Sequence, residues 1–64
     1  MKFFMTFGGS HPLRNNWIEI EAPDEPTARR WIFDLFANKW SMLYSEEEFD
    51  PSYFHGGKVG LTVK

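Results

Sequence analysis

A chain of 64 residues with no cysteine has room for one small domain, and for neither a disulfide framework nor a thiolate metal site. Its formal charge of −2, from 7 Lys and Arg against 9 Asp and Glu, excludes a nucleic-acid polymer as partner, because that binding needs several clustered cations to release phosphate counterions. No stretch approaches the roughly 20 apolar residues of a membrane span, and the N-terminal MKFFMTF lacks the apolar length and cleavage site of a secretion signal, so a cytoplasmic protein with no membrane partner is expected.

Bulk for the core has to come from aromatic side chains: 7 Phe, 3 Trp and 2 Tyr, each able to bury on the order of 150–250 Å². Lys2 to Phe7 reads as a first strand, with Phe3, Met5 and Phe7 on one face and Lys2, Phe4 and Thr6 on the other. Trp17 to Ala22 reads as a second, turning Ile18, Ile20 and Ala22 inward and Trp17, Glu19 and Glu21 outward. Phe4 and Trp17 then share the outer face, an apolar spot out of a helix's reach and a candidate contact for a second copy in a homo-oligomer.

Asp24 to Asn38 is the one segment long and periodic enough for a full amphipathic helix. Ala28, Trp31, Ile32, Leu35 and Phe36 recur at i, i+3, i+4, i+7 and i+8, a continuous stripe at about 100° per residue. Asp24 supplies an N-cap, Pro26 sits where a missing N–H costs little, Asn38 marks the stop, and Phe33 falls off the stripe. Lys39 to Tyr44 reads as a third strand entered by a very short turn, or else as an extension of the helix. Ser45 with Glu48 forms an S-x-x-E capping box that starts one or two helical turns, interrupted at Asp50-Pro51, with Phe49 and Phe54 tucked beneath. Gly56-Gly57 breaks the chain before a last strand, Lys58 to Lys64, with Val59, Leu61 and Val63 inward. The order β-β-α-β-(short helix)-β predicts an α+β domain with one helix on one face of a mainly antiparallel sheet.

Gly8 to Asn16 spends nine residues where a hairpin uses about two to five. Gly8 and Gly9 can adopt positive φ and turn successive N–H groups toward one point, an anion-binding nest to which Ser10, His11, Arg14, Asn15 and Asn16 add donors. Arg14 anchors this reading through its planar fork, and Trp17 adds a flat surface for a base or sugar. The blander alternative is that Asn15 and Asn16 make the turn while Leu13 plugs the core edge. Lys39, Trp40, Tyr44 and Tyr53 mix a cation with amphipathic aromatics, as ligand pockets and interfaces do, or else Trp40 and Tyr44 are core residues with wet tips. Glu46, Glu47, Glu48 and Asp50 are either an acidic recognition patch or carboxylates placed to suit a helix dipole. His11 and His55 lie in separate loops with no spacing for a metal, and Ser10 and His11 are neighbours whose side chains diverge, so no metal, cofactor or catalytic group is expected.

Taken together, the run from Phe7 through G-x-x-H-x-L-R to Trp17, with the later K-W-x-x-x-Y-x-E, resembles a group of small proteins encoded by tailed bacteriophages and prophages. The match rests on Gly8, His11, Leu13, Arg14, Lys39, Trp40, Tyr44 and Glu46. The resemblance implies a phage-borne accessory protein that counters host defence, by sequestering a nucleotide signal or by binding a defence protein. Two functions follow. In the first, a small phosphorylated or nucleotide-like ligand is held between Gly8–Trp17 and Lys39, Trp40 and Tyr44. In the second, the acidic turn and exposed aromatics cover a host defence protein. The donor-rich loop favours the first.

Overall fold

The computed structural model describes residues 1–64, in the element order that the alternation predicts: β1 (Lys2–Thr6), β2 (Asn16–Glu21), α1 (Glu25–Phe36), β3 (Met42–Ser45), a 3-10 turn at Pro51–Tyr53, and β4 (Gly57–Lys58). The sheet runs β3-β1-β2-β4. β1 is antiparallel to β2 and to β3, whereas β4 lies parallel to β2. The domain is α+β, with a mainly antiparallel sheet.

Pairing of Phe3 with Ile20 and of Met5 with Ile18 lines these residues up on one face of the sheet, and Ala28 and Ile32 of α1 close over them. Met5, Ile20 and Ile32 are fully buried. Asp24 caps the helix as its residue type predicts, its Oδ1 accepting from the Thr27 N–H at 2.9 Å. Leu35, on the predicted stripe, is nonetheless exposed, as Phe33 is. The helix also stops before Asn38. The Ala37 N–H donates to the Phe33 carbonyl, the Lys39 N–H donates to the Phe36 carbonyl at 2.9 Å, and Ala37 takes φ 54° and ψ −119°. Those are the angles of the first central residue of a type II′ turn, a position that favours glycine.

A second, smaller aromatic cluster covers the opposite face of the sheet. β3 begins at Met42 rather than Lys39, so Leu43 packs with the main core while Tyr44 lies opposite Phe4 on the outer face. The expected bare spot at Phe4 and Trp17 is filled by Phe49. Its ring stacks on Phe4 at 4.6 Å, meets Trp17 edge-on at 5.3 Å, lies tilted 5.7 Å from Tyr44 and stacks with Phe54 at 5.4 Å. The capping box forms, with Ser45 Oγ donating to Glu48 Oε1 at 2.9 Å and accepting from the Glu48 N–H at 3.3 Å. It yields only one hydrogen-bonded turn over Glu46–Glu48, because the chain drops at once to deliver Phe49 to the sheet.

The last strand is shorter than predicted. The carbonyl of Trp17 accepts from Val59, but that of Glu19 accepts from Val63, so four residues of the C-terminal segment span two of β2. Gly60, at φ 70°, turns the surplus outward and leaves Leu61 90 % exposed. No helix is long and apolar enough to cross a membrane.

Candidate functional site

The nest expected at Gly8 and Gly9 does not form, since neither glycine adopts positive φ. The amides of His11, Leu13, Arg14 and Asn16 serve the loop itself. His11 N–H donates to the Gly8 carbonyl at 2.9 Å, Arg14 N–H to His11 at 3.1 Å, and Asn16 N–H to Leu13 at 2.9 Å. His11 stacks on Phe7 at 4.5 Å, and its Nδ1 accepts from the Leu13 N–H at 3.0 Å, which leaves only Nε2 to meet a ligand. Leu13 packs against the core edge. Asn15 and Asn16 hold the C-terminal segment, through Asn15 carbonyl to Gly56 N–H at 2.8 Å and Asn16 Nδ2 to the Gly57 carbonyl at 3.2 Å. The loop's length is therefore explained as a clasp. Ser10 and Arg14 remain exposed, and Arg14 makes no ion pair, since Arg29–Glu25 is the one salt bridge in the chain.

The residues expected to complete that site are dispersed. Trp40 packs at the end of α1, its Nε1 donating to the Ala37 carbonyl at 2.9 Å and its ring lying 5.6 Å beneath the Arg29 guanidinium. Trp17 and Tyr44 lie on the far face around Phe49. Of the predicted set, His11 and Lys39 do meet, in an open cleft of about 430 Å³ between the end of α1 and the C-terminal segment. Its floor is apolar, from Phe7, Ile18, Phe36 and Val59. Lys39 is its one fixed charge.

The acidic turn and the aromatics, read separately in sequence, converge in space. Tyr44, Phe49, Tyr53 and Phe54 line a second hollow of about 220 Å³ together with Glu48 and Asp50. Glu46 and Glu47 face elsewhere, sharing a depression with Met1 and Lys2, and neither Glu48 nor Asp50 forms a salt bridge. Each of these two carboxylates is held at one oxygen. Glu48 Oε1 takes the Ser45 N–H and hydroxyl, and Asp50 Oδ1 takes the Ser52 N–H at 3.0 Å and its hydroxyl at 2.6 Å. Those bonds from Ser52, the hydroxyl's first and then the backbone's, hold Asp50 below the usual aspartate range, so it stays ionised.

Phe49, expected beneath the acidic turn, is also the cover for Phe4 and Trp17. Two aromatics predicted on an outer face, Phe4 and Trp17, demand a cover, and Phe49 is the large apolar residue beside the turn that ends β3. No three His, Asp or Glu side chains converge in a way that would hold a metal ion. Comparison with family models, curated proteins and solved structures finds no match.

Proposed function

We propose that the chain is a non-catalytic binding module that grips a partner protein through the face formed by its acidic turn and the aromatic cluster below it. The observation carrying this reading is the convergence of four aromatic residues and two unneutralised carboxylates on one hollow. Aromatic side chains with an adjacent charge are what the centres of protein interfaces are made of. The half-buried aromatics around Phe49, with Tyr53 77 % exposed beside them, give such a centre without further folding. The resemblance to phage-borne proteins supplies the setting, in which the partner is a host defence protein.

The test is site-specific photo-crosslinking in bacterial cells, with a photoreactive phenylalanine analogue at Tyr53 or at Lys39. A discrete higher-mass protein adduct from position 53 and none from position 39 supports the reading. An adduct from position 39 alone, or from neither, overturns it.

A second reading is favoured by the cleft at His11 and Lys39, whose apolar floor and single cation suit a small anionic or nucleotide-like ligand. Its test is a thermal-shift panel of nucleotides, cyclic dinucleotides included. A ligand at 100 times its Kd stabilises by about 2.7 kcal/mol, which raises Tm by roughly 10 °C or more in so small a domain. Lys39→Ala removes that shift if the cleft is the site.

A further inference from the structure

We infer that the hollow lined by Tyr44, Glu48, Phe49, Asp50, Tyr53 and Phe54 receives one arginine side chain of the partner, which rests on the protein-binding reading above. Size comes first. At about 220 Å³ the hollow falls short of the larger cleft and holds a side chain rather than a nucleotide. Charge comes next, because the two carboxylates at its rim have no cation of the chain's own within salt-bridge reach. Each is held at one oxygen and free at the other. Serine bonds hold Oε1 of Glu48 and Oδ1 of Asp50, while Oε2 and Oδ2 accept no hydrogen bond within the chain.

Ring faces and prepositioned carboxylate oxygens together match a guanidinium better than other cations. Its plane lies against the exposed ring of Tyr53 while its edge donates to the carboxylates, and it sheds water more readily than an ammonium. A quaternary ammonium offers the free oxygens no donor, and a lysine carries tightly held water into an aromatic site.

The experiment is an NMR titration of the ¹⁵N-labelled protein with N-acetyl-arginine-N-methylamide, repeated with the lysine and norleucine analogues. The arginine probe is expected to move the amides of Tyr44, Glu48, Asp50, Tyr53 and Phe54 saturably, at least threefold tighter than the lysine probe, and norleucine is expected to give no saturable change. Tyr53→Ala, at an exposed ring, and Asp50→Asn, which keeps an oxygen for Ser52, each weaken arginine about two- to fivefold. The rest of the spectrum reports that both variants remain folded. Norleucine binding as well as arginine, or arginine binding unchanged by both variants, overturns the inference. A Tyr53 photo-adduct without arginine binding removes this inference and leaves the protein-binding reading, whereas arginine binding without an adduct removes the protein partner and with it the partner's arginine, leaving only a hollow that takes a guanidinium.

Discussion

Replacing Phe49 by alanine tests whether the outer face of the sheet is a second core or a decorated surface. The ring lies within 4.6–5.7 Å, centroid to centroid, of Phe4, Trp17, Tyr44 and Phe54. Truncating a fully buried Phe costs about 3–5 kcal/mol. Phe49 is half-buried, so a loss of about 2–3 kcal/mol is expected, the aromatic geometry adding to the area lost. A domain of this length has a total stability of only about 3–10 kcal/mol, so Tm falls by roughly 10–20 °C. Urea unfolding followed by tryptophan fluorescence measures it, with Trp17 as a local probe. Phe33→Ala is the control, an aromatic truncation at a 59 % exposed helical position, expected to stay within about 0.5 kcal/mol of the parent. Equal effects from the two variants, or a loss at Phe49 below about 1 kcal/mol, refute the assignment of a second core.

Ala37→Gly is expected to stabilise the chain. A non-glycine residue at φ 54°, ψ −119° costs about 1–3 kcal/mol, only part of which is offset by glycine's extra freedom when unfolded, about 0.4–1 kcal/mol. A rise in Tm of a few degrees checks this. Gly56→Ala is expected to destabilise, since a Cβ there meets the Asn15 carbonyl oxygen at 2.8 Å and Asn16 Nδ2 at 2.6 Å. Overpacking of that kind costs about 1–3 kcal/mol, and urea melts measure it. Acid is expected to weaken the fold, because Asp24, through the Thr27 hydroxyl and then its N–H, and Asp50, through Ser52, sit below the ordinary 3.8 when folded. With folded values depressed, this stabilisation is complete above the unfolded value and disappears as pH falls through the folded ones. Urea midpoints measured below about pH 4 should therefore drop, and drop less when Asp24 and Asp50 are both Asn.

Strand alternation in Phe3, Met5 and Phe7 and in Ile18, Ile20 and Ala22 made the main core legible, as did the cap at Asp24, because each signal is local. What escaped was decided by packing and backbone angles that periodicity does not carry. Leu35 fits a helical stripe, yet it sits at the margin beside Val63 and Lys64 and stays exposed. Leu61 fits strand alternation, yet the positive φ of Gly60 throws it out of the ladder. For the candidate site, donor-rich Gly8–Asn16 drew attention by composition, but its glycines lack the positive φ of a nest, and the Asn15 carbonyl and Asn16 side chain are spent on the C-terminal segment. The hollow around Phe49 is built from the one stretch between Tyr44 and Phe54, and it takes shape only because the chain folds back after the acidic turn to lay Phe49 on Phe4 and Trp17.

The parallel pairing of β4 bears on how the chain behaves in the test tube. Only two residue pairs join β4 to β2, and Asn16 and Gly57 meet across 41 positions of sequence, whereas β1 and β2 share five pairs closed by one local hairpin, so this seam is looser than the hairpin and frays before it. Fraying uncovers the carbonyls of Trp17 and Glu19 and the N–H of Glu21, a naked rim beside Ile18 and Ile20 onto which another molecule can add a strand. Amide protons of Val59 and Val63 should then exchange well before those in the β1–β2 hairpin. Concentrated samples should cloud first under conditions that loosen only the tail.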